Sequence, residues 1–249
     1  MYKMILQYMT TLLITLLSLN SMQSQSKSIP SLETISIKSH VFERPINVLY
    51  QSGTTDQVVY ITDGQKMIDN GAWAVIDSLI QENRKLDATY VFISTIDDVS
   101  GEDYREEYFF CNSDNKTFLE LELLPEIEQI IGKKYTADQR SLVGVSFGAL
   151  NATYMLQSDQ FLNYGILSPI TYPCPDIISK IAFTDISEKR IFFSTGKNDA
   201  EAYLQPLRLF TENKVKDIKV LTTDGAHDFQ NWNGQIQMLV PFLLNVNNQ

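Results

Sequence analysis

Short apolar runs alternate with longer amphipathic stretches along most of the chain. The apolar runs are rich in Val, Ile, Phe and Tyr and are bounded by polar or glycine-containing turns, which is typical of buried strands. Strands are predicted at residues 32–38, 42–50, 58–62, 89–94, 141–145, 164–167, 191–195 and 218–222. Helices are predicted at residues 72–83, 117–131, 147–157, 176–182, 200–212 and 229–244. The first two strands are expected to form an antiparallel edge. The alternation predicts an α/β fold with a mostly parallel central sheet and helices on both faces.

The N-terminal segment does not fit this alternation. Lys3 precedes a charge-free run over 4–19 that is dominated by Leu, Ile and Met, and small polar residues follow over 18–28. This pattern predicts a secretory signal peptide over 1–24, cleaved near Ser24, and export to the periplasm or the medium. An uncleaved anchor is the alternative, although four polar residues weaken the run as a membrane span. Residues 25–249 are then expected to form a single domain.

The composition limits the classes of partner. The chain has 249 residues, of which 44% are apolar, and a formal net charge of −10. It has no basic stripe, so we expect neither nucleic acid nor an anionic membrane surface as a partner. Two histidines and two separated cysteines do not make a metal-ligand cluster, and no metal or cofactor is predicted. In an exported protein Cys111 and Cys174 either form a disulfide or stay free, and the sequence leaves this and the oligomeric state open.

A long polar segment lies at 97–116, before the second predicted helix. It carries seven acids, and segments of this length are often binding loops, although a solvated acidic surface explains the charges as well. Arg105 is the one arginine within it. This side chain is expected either to meet a substrate carbonyl or to pair with an acid.

Residues 144–148 read Gly-Val-Ser-Phe-Gly, between a predicted strand and a predicted helix. In that context G-x-S-x-G forms a nucleophile elbow, a strained strand-to-helix turn that lifts the serine hydroxyl above the sheet. The small residues are needed because strand and helix backbones come close together. Ser146 is therefore the predicted nucleophile.

A serine nucleophile needs a histidine base, which an acid orients. In α/β-hydrolases the chain order is serine, acid, histidine, and only His227 of the two histidines follows Ser146. The acid is expected in a loop after a strand, and Asp199 in the turn after 191–195 is the first choice. Glu201 and Asp224 are the alternatives. Asp228 is expected to cap the helix that begins at Phe229.

The oxyanion hole needs two backbone N–H groups, one of them from the residue after the nucleophile, Phe147. The second is expected after the early strand 58–62, where Gly64 and Gln65 follow. An ordinary turn at the end of that strand is the alternative.

Three segments resemble the esterase D-like α/β-hydrolases: 60–65 (YITDGQ), 144–149 (GVSFGA) and 225–229 (GAHDF), the last followed by Trp232. Segment 93–97 (ISTID), with Arg105 and 123–125 (LLP), is similar to the enterochelin (ferric enterobactin) esterase branch. The resemblance covers roughly 35–245 and implies the α/β-hydrolase fold. It also implies a triad of Ser146, Asp199 and His227, and an oxyanion hole near Gly64, Gln65 and Phe147. The chain departs from the family at Ala149 and Ala226, where glycine is common.

These features predict an exported serine esterase that hydrolyses a small-molecule carboxylic ester through an acyl-enzyme. A siderophore trilactone and an acylated carbohydrate are the alternative substrates, and the acidic charge disfavours an anionic siderophore. A binding protein without catalysis on the same fold is the third alternative. Arg105, Trp73 and Trp232 are predicted to contact substrate, and Tyr104, Phe109 and Phe110 are further candidates for the pocket wall.

Overall fold

The structure is a computed structural model that describes residues 31–197, 215 and 217–246. The predicted signal peptide, the predicted helix over 200–212 and the predicted acids Asp199 and Glu201 lie outside these residues. These described residues belong to one compact unit.

An eight-stranded sheet forms the centre of this unit. Its strands are β1 (Glu33–Lys38), β2 (Pro45–Gln51), β3 (Val58–Ile61), β4 (Thr89–Ile93), β5 (Arg140–Val145), β6 (Asn163–Leu167), β7 (Arg190–Gly196) and β8 (Asp217–Thr223). Their order is β1-β2-β4-β3-β5-β6-β7-β8. β1 pairs with β2, and β2 with β4, in antiparallel fashion, whereas the pairs from β4 to β8 are parallel. The predicted antiparallel edge and mostly parallel sheet are confirmed.

Helices flank the sheet. They are α1 (Gly64–Asp69), α2 (Ala72–Glu82), α3 (Arg105–Phe109), α4 (Ser113–Thr117), α5 (Leu124–Ile131), α6 (Phe147–Tyr154), α7 (Ile177–Ala182) and α8 (Phe229–Leu243). A π-helical turn, Phe118–Leu123, joins α4 to α5, and 3₁₀ turns occur at Arg84–Leu86, Ala137–Gln139 and Met155–Gln157.

Alternate residues of the central strands face two separate cores, as the period of a strand requires. Tyr60, Leu142 and Phe193 belong to one core, which α6 and the segment from α4 to α5 cover. Val59, Val143 and Phe192 belong to the other core, which α2 and α8 cover. Helices therefore lie on both faces of the sheet, and this part of the fold prediction is also confirmed.

The predicted loop at 97–116 was wrong in part, because it contains α3 and α4. Each is a single short turn that has no helical periodicity of its own to detect. Tyr108 and Phe109 anchor α3 because both rings are buried. The side chain of Asn112 caps α4 by accepting a hydrogen bond from the Asp114 amide at 2.8 Å. The turn after β3 likewise continues into a helix, α1, which the Asp-Gly pair at 63–64 did not indicate.

A disulfide joins Cys111, between α3 and α4, to Cys174, between β6 and α7. The structure thus supplies the pairing that the sequence left open. Among the described residues, no helix has the length and apolar character needed to cross a membrane. The same residues contain no cluster of His, Cys, Asp and Glu suited to a metal ion.

Candidate active site

Ser146 occupies the turn between β5 and α6. Its backbone has φ 56° and ψ −118°, a region that residues with a Cβ rarely adopt. A Cβ on Gly144 would lie 2.0 Å from the carbonyl oxygen of Gly148, and a Cβ on Gly148 would lie 2.3 Å from Oγ1 of Thr62. Both glycines of the motif are therefore required by close contacts, and the turn has the geometry of a nucleophile elbow.

The turn is held on both sides by backbone hydrogen bonds. The Ser146 amide donates to the Leu167 carbonyl at 3.0 Å, and the Ser146 carbonyl accepts from the amides of Ala149 and Leu150 at 3.1 Å and of Ile170 at 3.3 Å. The strained conformation is fixed by α6 on one side and by the end of β6 on the other.

The structure brings Ser146 and His227 together from positions 81 residues apart. His227 Nε2 lies 3.0 Å from Ser146 Oγ, which is hydrogen-bonding distance. Ser146 is 6% exposed, so its hydroxyl lies in a recess rather than on an open surface. This pair is the arrangement that a histidine base and a serine nucleophile need.

The loop that carries His227 connects β8 to α8 and is braced by the first turn of that helix. Asn231 Nδ2 donates to the Ala226 carbonyl at 2.8 Å. The Trp232 ring meets the His227 ring edge to face at 5.0 Å, and its Nε1 donates to Ser168 Oγ at 3.1 Å. Trp232 is 4% exposed, so it supports the imidazole from the core side.

The end of β7 lies beside the loop that carries His227. A Cβ on Gly196 would lie 2.5 Å from the carbonyl oxygen of Gly225, and the Lys197 amide donates to the Thr223 carbonyl at 2.8 Å. The chain therefore leaves β7 alongside the histidine loop, three residues before Asp199 in the sequence.

Asp224 and Asp228 have other partners in the structure. Asp224 forms an ion pair with Lys197, and its side chain is 86% exposed. Asp228 Oδ1 accepts from the Asn231 amide at 2.8 Å, so it caps α8 as predicted. Asp199 and Glu201 lie outside the described residues.

The two predicted oxyanion segments lie at the starts of α1 and α6. A Cβ on Gly64 would lie 2.5 Å from the backbone of Ile93, so this glycine lets α1 begin against β4. Gln65 lies in the first turn of α1, and Phe147 is the first residue of α6. Amides in a first turn have no partner within their own helix and are open to a ligand. The oxyanion role of Gly64, Gln65 and Phe147 stays a prediction.

Arg105 pairs with a carboxylate of the site. Its Nε and Nη2 each donate to an oxygen of Asp63 at 3.0 Å. The Asp63 side chain is fully buried, and this burial raises the pKa of its carboxyl, an effect that Arg105 opposes. Of the two alternatives for Arg105, the structure shows the pairing, while its predicted contact with substrate stays a prediction.

Aromatic side chains surround Phe147, the residue after Ser146. The Phe110 ring meets it edge to face at 4.8 Å, the Tyr172 ring lies 6.0 Å away, and the Arg105 guanidinium lies 4.9 Å from its centroid. Tyr172 is 72% exposed and lies in the segment that Cys174 ties to Cys111.

Three other aromatic candidates lie elsewhere. Trp73 is 5% exposed and packs on Tyr90 and Phe92, so it is placed in the core beneath α2. Phe109 is also buried in the core, and Tyr104 stacks against the guanidinium of Arg44 at 3.8 Å. The ring predicted to contact substrate, Trp73, is therefore buried in the core. The ring of Trp232 contacts His227.

Sequence reasoning missed the parts that Asp63 and Ser168 play. Asp63 precedes Gly64 at the end of a buried strand, and such a pair indicates only a turn. Ser168 carries the positive φ of 50° at the end of β6. Nothing local in the sequence marks either residue, because their partners Arg105 and Trp232 are 42 and 64 residues away.

Comparison with known proteins identifies the family. The esterase family, whose description is "Putative esterase", matches residues 39–241. This chain belongs to the esterase family. Among curated proteins no sequence matches it significantly. The resemblance to esterases stated from the three sequence segments is confirmed.

Solved structures similar to this chain share its fold. One is the enterobactin esterase FES from Shigella flexneri in the presence of 2,3-dihydroxy-N-benzoyl-serine (TM-score 0.75, 22% identity), and the match covers 89% of this chain and 60% of that one. A ferulic acid esterase matches with a TM-score of 0.68 and 15% identity, over 87% of this chain and 98% of that one. An IroE-like serine hydrolase from Shewanella oneidensis matches with a TM-score of 0.63 and 16% identity, over 86% and 80%. This chain therefore spans about three-fifths of the FES structure's length and most of the length of the other two.

Proposed function

We propose that this esterase is a serine hydrolase that uses Ser146 as nucleophile and His227 as general base. The observation that carries the proposal is the 3.0 Å separation of Ser146 Oγ and His227 Nε2 at a strained elbow. Their meeting across 81 residues, at the carboxyl ends of β5 and β8, favours a catalytic pair over an incidental contact.

In the proposed reaction His227 Nε2 takes the proton of Ser146 Oγ as the oxygen attacks the ester carbonyl carbon. The tetrahedral oxyanion accepts hydrogen bonds from the amides of Phe147 and Gln65. The intermediate collapses by breaking the bond to the alcohol oxygen, which takes the proton from His227 and departs. Water then adds to the acyl-enzyme with His227 again as base, and the acid and free Ser146 are released.

Asp199 is the proposed acid that orients His227. The close approach of Gly196 to Gly225 supports this assignment, because it brings the segment that leads to Asp199 beside the histidine loop. The exposed pairing of Asp224 with Lys197 and the capping role of Asp228 leave both carboxylates engaged elsewhere.

We further propose an ester with an aromatic acyl group as the substrate, and an exported location. The rings of Phe110, Phe147 and Tyr172 next to Ser146 offer a surface on which an aromatic group can stack. The dihydroxybenzoyl and ferulic acid groups named for two similar structures are both aromatic. The signal-like segment over 1–24 supports export.

Steady-state hydrolysis of p-nitrophenyl acetate, methyl ferulate and a 2,3-dihydroxybenzoyl ester tests the proposal. The highest kcat/KM is expected for one of the two aromatic acyl esters. Asp199→Asn is expected to lower kcat about 10⁴-fold, as loss of the orienting acid does in serine hydrolases. Glu201→Gln and Asp224→Asn serve as matched controls and are expected to stay near the wild type. A large loss in a control variant and none in Asp199→Asn would reassign the acid, and the absence of all hydrolysis would favour a binding protein.

A further inference from the structure

The ion pair between Asp63 and Arg105 lies between the start of α1 and the start of α6. Asp63 ends β3 and precedes α1, with the left-handed φ of 54° and ψ of 33°. Its carboxylate is fully buried, and both oxygens accept from Arg105 at 3.0 Å. A buried carboxylate in such a setting is strongly destabilising once its partner is removed. Arg105 comes from α3, a separate segment 42 residues along the chain.

On one side the pair contacts the segment that precedes the proposed oxyanion amide of Gln65. The Asp63 carbonyl accepts from the Met67 amide at 2.9 Å and so starts α1. The carboxylate also faces the elbow helix, because a Cβ on Gly148 would lie 2.9 Å from Asp63 Oδ2. Asp63 therefore joins the start of α1 to the start of α6.

On the other side the pair contacts the residue that supplies the second amide. The guanidinium carbon of Arg105 lies 4.9 Å from the centroid of the Phe147 ring. A cation over an aromatic face is attracted to it, and the side chain of Arg105 is only 20% exposed. The same ion pair thus reaches both segments that are proposed to hold the oxyanion.

We propose that Asp63 and Arg105 form a positioning pair, which fixes the amides of Gln65 and Phe147 at the spacing that the oxyanion requires. The inference rests on the proposed function. Neither residue contacts the reacting atoms in this account. Their effect passes through the backbone, so it is felt by the transition state more than by the bound substrate. Two of the three guanidinium nitrogens of Arg105 are engaged by Asp63, which favours positioning over substrate binding.

Arg44 offers a matched control. It too forms an ion pair, with Glu107, its side chain is also 20% exposed, and its guanidinium lies over the ring of Tyr104. Its ion-pair and ring partners are Glu107, Phe42, Tyr104 and Tyr108, none of which belongs to the elbow. Arg44→Met therefore removes one ion pair, to a carboxylate that is 43% exposed rather than buried, and one ring contact, at residues outside the elbow.

The test measures kcat and KM for p-nitrophenyl acetate in the wild type, Arg105→Met, Arg105→Lys, Asp63→Asn and Arg44→Met, with thermal unfolding of each. Arg105→Met and Asp63→Asn are expected to lower kcat by about 10²-fold, the effect of losing an oxyanion donor, with KM changed less than about twofold. Arg105→Lys restores the charge without the two-pronged geometry and is expected to recover part of kcat. Arg44→Met is expected to retain the wild-type kcat.

Two results would overturn the inference: a kcat in Arg105→Met no lower than in Arg44→Met, or a raised KM with unchanged kcat, which indicates substrate binding instead. If Arg105→Met does not fold, Asp63→Asn, which keeps the size and shape of the side chain, decides on the same criteria. Ser146→Ala is measured alongside. If Ser146→Ala abolishes turnover and Asp63→Asn keeps a normal kcat, the positioning role is contradicted and the proposed function is not. Turnover that survives in Ser146→Ala contradicts the proposed function.

Discussion

At the scale of single residues, the elbow concentrates conformational strain at Ser146. A residue with a Cβ in this part of φ/ψ space costs on the order of 1–3 kcal/mol, which the surrounding contacts must offset. Hydrogen bonds from the amides of Ala149, Leu150 and Ile170 to the Ser146 carbonyl help to offset this cost. The strain aims the hydroxyl at His227, and the absence of a Cβ at Gly148 is what lets α6 approach Thr62.

Replacing Gly148 by alanine tests this close approach. The new methyl group would meet Thr62 Oγ1 at 2.3 Å and Asp63 Oδ2 at 2.9 Å, so α6 must move. We expect the free energy of unfolding to fall by about 1–3 kcal/mol, measured by urea denaturation, and ester hydrolysis to fall with it. Gly234→Ala is the control, since a Cβ there meets nothing within 4 Å and lies inside α8. That variant is expected to gain about 1 kcal/mol from helix propensity. Equal stability and activity in both variants would contradict the account.

The sequence was sufficient to pair Ser146 with His227, which lie 3.0 Å apart, because the elbow motif is a local signal and the chain order needs no structure. It was not sufficient for Asp63, Ser168 or the burial of Trp73. The environment of these side chains depends on residues from other elements, such as Arg105 for Asp63. The pattern of apolar residues does not indicate which distant segments pack against each other.

At the scale of elements, the sheet edge is reinforced by a side-chain pair. Tyr50 on β2 donates to Glu33 on β1 at 2.6 Å, and this hydrogen bond with burial raises the pKa of Tyr50 to about 12. A phenol whose pKa is raised on folding stabilises the fold below its unfolded pKa of about 10, and this contribution is lost as the pH rises toward the folded value.

We therefore expect wild-type stability to fall between pH 10 and about 12, with Tyr50→Phe losing less over the same interval. Urea denaturation at several alkaline pH values measures the difference. Below pH 10 Tyr50→Phe is expected to be the less stable of the two proteins, because it lacks the hydrogen bond to Glu33. Parallel stability curves for the two proteins across this interval would show that Tyr50 does not carry the effect.

The disulfide ties together two segments that flank the elbow. Cys111 follows α3, and Cys174 precedes α7, at a sequence separation of 63. A cross-link over this separation is expected to stabilise the fold by about 3–5 kcal/mol, mainly through the unfolded chain. Denaturant unfolding with and without a thiol reductant should show that loss. Cys111→Ser/Cys174→Ser should start at the lower stability and not respond to reductant. A wild type that is unaffected after its thiols are shown to be free would contradict this expectation.

Strands and long helices were predictable because their periodicity extends over many residues, as in β5 and α8. The short helices α1, α3 and α4 were not. Each contributes one turn, which is too short to nucleate alone and is held by contacts such as the burial of Tyr108 and Phe109. The π-helical turn at Phe118–Leu123 likewise has no signature in the sequence and lies inside a stretch predicted as one helix.

At the scale of the whole molecule, the fold class followed from the alternation of strands and helices, whereas the strand order did not. β4 lies between β2 and β3, and no run of residues in the sequence indicates this order. The acidic segment is partly neutralised beside α1, because Asp103 pairs with Lys66 at 2.5 Å. A net charge of −10 thus says little about the potential at Ser146.

Export is a prediction about the whole chain. Expression of the full sequence in a bacterial host, followed by mass spectrometry of the purified protein, should give an N-terminus near Ser24 and recovery from the periplasm. A variant with charged residues placed within 4–19 should stay unprocessed inside the cell. The processed protein is expected to hydrolyse esters, because Ser146 and His227 lie outside the segment that is removed. An intact N-terminus in the cytoplasmic fraction would contradict export without affecting the proposed chemistry.

The central claim is that Ser146 is a nucleophile activated by His227. Labelling of the purified protein with a fluorophosphonate, followed by peptide mapping, tests it most directly, since such reagents react with activated serines. We expect a single modified residue, Ser146, in the wild type, and no labelling in Ser146→Ala or His227→Ala when both variants are folded. Unlabelled wild-type protein with an intact fold, or full labelling of His227→Ala, would contradict the claim.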